Sequence, residues 1–439
     1  MSQLPIELLT LTILLSLNTL GHARRIIRTE ELCLVNRAWK ATIDSTPLFW
    51  TCISNKPRSS PETIKGRIRK SGGAPLHILF GNDTHSLEAF IPLVTPHTHR
   101  WRKLGVQGWG ADISTYINKP APMLESLVLY SVLLSSDEIP FGGTTPSLSS
   151  VTLGNVGFSQ DPTILRNLKD LSLGNITYDQ QNPPLSWLRG ILSACPDLER
   201  LEIDGRYIAE PPPTHQPVLL AKLSSFSLRG LQNPPDTTEA IFGMVTAPHL
   251  PLIHLTLDEH WAWRTMNILS PLSTTLLLRY TGFRIYIHNW RIQIVSITDA
   301  GEVPSPAPTV VVNLSSSARW GGPAVKILED VGKAAPLFAA VDIIITDPRP
   351  TRLISNYLRS TVEEKDTSFG HPLPQLRTFQ MDVAFQENRP CEAEDLLSEL
   401  AQARHDIPRI RMKMRKGFGV YGFDIFQWDR ASSSFVSQQ

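Results

Sequence analysis

A six-residue pattern, apolar-x-x-apolar-x-apolar, recurs along the chain and constrains its fold more than any other feature. It runs as Trp101-x-x-Leu104-x-Val106, Leu124-x-x-Leu127-x-Leu129, Leu148-x-x-Val151-x-Leu153 and Leu168-x-x-Leu171-x-Leu173. It continues as Leu198-x-x-Leu201-x-Ile203, Leu223-x-x-Phe226-x-Leu228 and Leu252-x-x-Leu255-x-Leu257. Later copies are Leu376-x-x-Phe379-x-Met381 and Ile407-x-x-Ile410-x-Met412. Successive first positions in the main run are 23, 24, 20, 30, 25 and 29 residues apart. Alternating apolar residues predict a short strand buried on one side. One such strand cannot cover its own apolar face, whereas copies stacked side by side can, so the pattern predicts an array of βα units. Stretches 185–194 and 323–340 read as helices between strands. Residues 283–287 and 290–297 read as an antiparallel pair joined at His288-Asn289, and 310–314 and 341–346 as further buried strands.

Proline is in surplus, 35 of 439 residues, about 8% against roughly 5% on average. Part of it is positional. Pro122, Pro146, Pro196 and Pro374 each lie two residues before the first apolar position of a copy. A fixed φ and a missing N–H suit proline to stop a preceding helix and aim the chain into the next strand. The runs at 211–213, 234–235 and 303–308 read as loops. An apolar content of 41% excludes general disorder, and a net charge of +1 argues against a whole-chain nucleic-acid or membrane-surface binder. The repeat spacing and the strand pattern resemble an irregular leucine-rich-repeat solenoid. The Asn that usually follows the strand is missing from most copies.

The first fifty residues read differently. The apolar run 8–20 is too short to span a bilayer, which takes about 20 residues. It follows Pro5 and Glu7, both suited to a helix first turn, and reads as a buried helix. Over 29–44, Leu32, Val35, Trp39 and Ile43 recur at steps of three and four, predicting one helix with Thr29 as its N-cap. Pro47 ends that helix. Three segments in order, Leu4-Pro5-x-Glu7-Leu8-Leu9, Leu32-Cys33-Leu34-Val35-Asn36-Arg37-Ala38-Trp39 and Pro47-Leu48-Phe49-Trp50, resemble an F-box-like domain. The resemblance implies a trihelical module that docks a Skp-type adaptor of a cullin-based SCF ubiquitin ligase. Leu4, Pro5, Leu8, Leu9, Leu32, Val35, Trp39, Leu48 and Trp50 would serve the adaptor groove or the module's own core. Residues 1–70 hold 11 basic and 5 acidic side chains, a net +6, and the remainder 31 and 36, a net −5. A basic head suits an acidic partner surface.

The expected fold class is therefore α/β: an F-box-like helical module at 1–53, a polar linker at 54–73 and an irregular leucine-rich-repeat-like βα solenoid at 74–439. Side chains between the inward positions of the repeat share an outer face. Tyr130, Arg200, Glu202, Asp204, Arg229, His254 and Asp258 are the candidates there for contact with a protein substrate. A scaffold with no ligase role is the second reading.

Signals of chemistry are sparse. Gly417-x-Gly419-x-x-Gly422 matches a dinucleotide fingerprint as text, but strand-like residues follow it where a helix is needed. Arg409, Arg411, Lys413 and Arg415 alternate with Ile410, Met412 and Met414, the pattern of a strand with a solvated basic face rather than a nucleic-acid patch. His85, His97 and His99 lack a placed Cys, Asp or Glu to complete a metal site. Cys33, Cys52, Cys195 and Cys391 are scattered, which predicts free thiols and a reducing, intracellular setting. The expectation is a non-catalytic chain without cofactor, nucleic-acid partner or membrane span.

Overall fold

The computed structural model describes residues 5–55, 60–81, 87–134, 139–158, 164–178, 181–204, 207 and 217–229. Beyond these it describes residues 237, 240, 241, 243–247, 354, 356, 358 and 407–408, and the later strands and helix given below. The chain is mixed α/β, dominated by parallel sheet, and divides into two compact units, Met1–Arg200 and Leu201–Gln439.

The first unit opens with three helices, α1 (Ile6–Asn18), α2 (His22–Leu32) and α3 (Arg37–Ser45). Ile13, Leu17, Leu32, Ile43, Phe49 and Trp50 form their common core, with Leu9, Leu14, Leu20, Cys33 and Trp39 packed against it. The helix expected over 29–44 is two helices. Thr29 lies buried inside α2, where its hydroxyl donates to the Arg25 carbonyl at 2.8 Å. Asn36 is the real N-cap: its backbone is extended and its Oδ1 accepts from the Trp39 N–H at 2.9 Å. An asparagine at this point satisfies an orphan amide of a new helix, so the chain turns at 33–35 instead of continuing.

The stretch that reads as a linker is also structured. Helix α4 (Pro61–Lys70) starts at Ser60, whose hydroxyl accepts from the Thr63 N–H at 3.2 Å, with Pro61 in the first turn. Ile64, Arg67 and Ile68, spaced three and four apart, are its buried stripe. Arg67 Nη1 pairs with Glu30 at 2.8 Å and Lys70 Nζ with Asp44 at 2.8 Å. The Trp50 ring lies under both cations, 5.1 Å from Arg67 and 3.9 Å from Lys70.

Strands β1 (Cys52–Ser54), β2 (Leu76–Phe80), β3 (Trp101–Asp112), β4 (Ser126–Leu134), β5 (Ser150–Gly154) and β7 (Asp170–Gly174) pair in that order, all parallel. β6 (Gly157–Phe158) and β8 (Thr177–Tyr178) extend the array beyond the ends of β5 and β7. α5 (Leu87–Val94) precedes β3, and α6 (Leu185–Ser193) follows β8. Among the described residues, the connections from β3 to β4 and from β4 to β5 carry 3-10 turns, at Ser114–Tyr116 and Pro140–Gly143, and no α-helix.

The register aligns the repeated residues. Leu104, Leu127, Val151 and Leu171 form one row across four strands, and Val106, Leu129, Leu153 and Leu173 the next, all buried. Burying each such side chain contributes about 1.5–3 kcal/mol. Three prolines occupy the second position of a tight turn before a strand. Those turns close through Leu124 N–H to the Ala121 carbonyl, Leu148 N–H to Thr145 and Leu198 N–H to Cys195, at 3.1, 3.1 and 3.2 Å. Proline pre-sets φ for that position; at Pro122 and Pro146 it shapes a turn after a 3-10 segment, whereas Pro196 also follows the end of α6 at Ser193, as expected of a helix stop.

In the second unit β9 (Arg200–Asp204) pairs with β11 (Ser225–Arg229), β10 (Val218–Leu219) pairs with β12 (Val245–Thr246), and β13 (Leu252–Leu257) follows β11 in parallel. β14 (Gly282–His288) and β15 (Arg291–Ile297) form the expected antiparallel hairpin between β16 (Thr309–Leu314) and β17 (Ala340–Ile345). β18 (Leu376–Val383) and β19 (Arg409–Arg415) add in parallel, then β20 (Phe423–Asp429) and β21 (Ser434–Gln438) antiparallel, with α7 (Pro390–Ala403) before β19. Of the stretch 323–340 expected to be helical, 323–339 lies outside the described residues and Ala340 begins β17.

One copy shifts. Phe226 pairs with Ile253 and Leu228 with Leu255, so the copy in β13 starts at Leu250, two residues earlier than the sequence alignment placed it. Both frames satisfy the apolar pattern, and only strand pairing distinguishes them.

Candidate functional site: two exposed faces

The first face is on the helical head. α1 is apolar on two sides. Ile13 and Leu17 point into the core, while Leu8, Leu11 and Leu15, at steps of three and four, are 50%, 53% and 59% exposed. A helix apolar all round is normally buried all round, so the expectation of a buried helix fails on this side. Ile6, Ile27 and Leu48 are about half exposed, Val35 is more so, and Leu34 in the turn between α2 and α3 is 85% exposed. These exposed apolar side chains are gathered on one small module, surface of the kind that a partner can cover.

The residues singled out by the F-box-like resemblance divide cleanly. Pro5, Leu8, Val35 and Leu48 are exposed; Leu9 and Trp39 are half-buried against the core; Leu32 and Trp50 are core residues. Trp50 Nε1 donates to the Ile43 carbonyl at 2.9 Å inside the module. Leu4 lies outside the described residues. Ile6, Leu11, Leu15, Ile27 and Leu34 were missed, because periodicity cannot say which of two apolar sides a partner helix covers.

The second face is the outer side of the sheet. Tyr130 is 43% exposed, and its ring lies over Gly154, where a Cβ would meet ring carbons. Arg200 and Arg229 are exposed at their rims but committed: Arg200 to Asp170 at 2.6 Å, Arg229 to Glu202 at 3.1 Å. Asp204 is half-buried, and its charge, after burial itself, pushes the phenol of buried Tyr207 upward. His254 is on β13 opposite Ser227, so it stands at the Glu202-type position of the repeat rather than the Arg200-type. Asp258 lies outside the described residues. In the first unit the Arg200–Asp170 pair neutralises charge on the face where Tyr130 is the open aromatic group, and in the second unit Arg229 and Glu202 neutralise each other.

Beside Tyr130 runs a feature the sequence reading understated. Ser131 within β4, and Asn155 and Asn175 just after β5 and β7, stand in the left-handed region, with φ of 52°, 54° and 48°. Asn155 Nδ2 donates to Ser131 Oγ and Asn175 Nδ2 donates to Asn155 Oδ1, both at 3.2 Å. Asparagine tolerates this backbone better than other side chains. The signal was present as Leu-Gly-Asn at 153–155 and again at 173–175.

His97 and His99 have rings 6.5 Å apart, and among the described residues no three His, Cys, Asp or Glu side chains gather as a metal site. Cys33, Cys52 and Cys195 are free thiols. β19 carries Ile410 and Met412 inward, with Arg409 exposed and Arg411 half-buried. Gly417–Gly422 lies outside the described residues, but β19 and β20 around it pair antiparallel, unlike a βαβ nucleotide unit. No described helix is long and apolar enough to cross a membrane. No protein-family model matches the chain, and no curated protein is detectably similar to it.

Proposed function

We propose that this chain is the substrate-recognition subunit of an SCF-type ubiquitin ligase, its helical head an F-box-like module and its repeats an irregular leucine-rich-repeat solenoid. The observation that carries the reading is the second apolar side of α1, together with Leu34, Val35 and Leu48, left open on a module whose core is already complete. A partner presenting an apolar groove with an acidic rim would cover it, and the net +6 of residues 1–70 favours such a rim. The Skp-type adaptor is that partner. The outer sheet face around Tyr130 would hold the protein substrate. The chain itself makes no covalent chemistry; it raises the substrate's effective concentration beside the ligase machinery by tethering.

Co-purification of the full chain with a Skp-type adaptor and its cullin tests the reading. Leu34→Ser with Val35→Ser changes only exposed side chains, so folding should persist while capture falls about tenfold or more. Tyr130→Ala should leave adaptor capture intact. A folded wild-type chain that captures no adaptor refutes the proposal.

A further inference from the structure

Where α2 meets the sheet, four basic side chains converge without a carboxylate among them. The register sets His77 of β2 directly opposite Lys103 of β3. Both point away from the side that buries Leu76, Ile78 and Leu104. α2 lies against β1 beside them and brings the His22 ring to 5.7 Å from that of His77. Arg25, three residues on, shares the same side of α2. Its guanidinium reaches only neutral acceptors, Asn18 Oδ1 at 3.2 Å and the Leu48 carbonyl at 3.4 Å.

Arg102, Lys169 and Arg200 each hold a carboxylate from an adjacent connection or strand, at 2.8, 3.6 and 2.6 Å. Within the cluster, His22 Nδ1 and Arg25 Nε are shut from solvent with no hydrogen-bond partner. Buried polar atoms are nearly always satisfied, and an exception points to a missing ion or water. Burial first, and then the neighbouring positive charges, holds both imidazoles below their ordinary range. Among the described residues no carboxylate pairs with these groups.

We propose that His22, Arg25, His77 and Lys103 form a binding site for a phosphate dianion. Donors contributed by one helix and two strands suit a group with several terminal oxygens, and charge-assisted bonds to such oxygens are the strong ones. A dianion there would favour protonation of both imidazoles, so binding takes up protons. The same chemistry is offered by free phosphate and by a phosphorylated side chain. The site uses none of the open apolar residues of the head except through the Leu48 carbonyl, and it stands apart from adaptor docking.

The test is a titration of the full chain at pH 6.5 with sodium phosphate, against sodium chloride at matched ionic strength, read by the imidazole resonances of selectively labelled histidine. Phosphate should move the His22 and His77 resonances toward the protonated form, saturably, while chloride does not. Lys103→Gln, an exposed and unpaired residue, should weaken phosphate about tenfold or more without altering unfolding. His77→Gln should weaken it comparably. A parallel titration with O-phosphoserine, compared at equal concentration of the dianion because its second pKa is about 6, separates the sources: tighter binding than inorganic phosphate identifies a modified side chain, weaker binding the free ion. Absence of a saturable shift with phosphate, or indifference to both substitutions, overturns the proposal. Adaptor capture should be unchanged by Lys103→Gln, so the two proposals fail independently.

Discussion

Glu30→Gln tests how α4 is joined to the helical head. In the folded chain Arg67 is 4% exposed, and its Nη1 bonds the Glu30 carboxylate at 2.8 Å while its Nε donates to the Cys52 carbonyl at 3.2 Å. Its remaining Nη2 has no partner, and burial is the main influence lowering its pKa. Glu30→Gln keeps an oxygen in place and deletes the countercharge. Removing one partner of a fully buried pair costs about 3–5 kcal/mol, whereas an exposed pair is worth about 0.2–1 kcal/mol. Glu30 is 54% exposed, so the loss falls between, about 1–2 kcal/mol, a factor of roughly 5–30 in local opening. Amide hydrogen exchange of the peptide covering 61–70 reads that opening directly and needs no two-state unfolding of the whole chain. In an Arg67→Met background the same Glu30→Gln change should cost under about 0.5 kcal/mol, because the charge it stranded is gone. Equal acceleration in both backgrounds would refute the pairing, and with it the docking of α4 on the head.

Two further outcomes follow from the geometry. Asn155→Ala should destabilise the first unit by about 1–2 kcal/mol more than Asn155→Gly. Both lose the amide ladder, but only alanine meets the penalty of φ 54°; equal losses by chemical denaturation would remove backbone strain from the account. His77 stands at about 4 in the fold against an ordinary value of about 6.5, so the unfolded chain binds more protons between those values. Its contribution to stability is full above about pH 6.5, declines as pH falls through this window and is exhausted below about 4. His77→Gln should flatten the pH dependence of β2 amide protection there, and an unchanged slope would count against the assignment.

The inward rows of the sheet were readable because strand alternation and repeat spacing are local properties. Leu104, Leu127, Val151 and Leu171 had to share one side of their strands, and stacking then put them in one row. The same logic placed the β14–β15 hairpin. It failed where two local solutions were both allowed. Leu250 and Leu252 each start an acceptable copy, and the heptad-like spacing of Leu32, Val35 and Trp39 survives a helix break at Asn36. The composition of 54–73 hid α4, although Ser60-Pro61 is a helix-start signature, because a buried arginine reads as polar until its partner is known.

By itself the sequence determined the repeated strand pattern, the parallel stacking it implies and the helical make-up of the first fifty residues, since each depends on the spacing of residues close in the chain. Only tertiary structure decided which side of α1 stays open, which charges are neutralised between strands, and that His22 and His77 face each other. Those are relations between distant segments, and hydrophobic patterning carries no information about which polar groups it brings together.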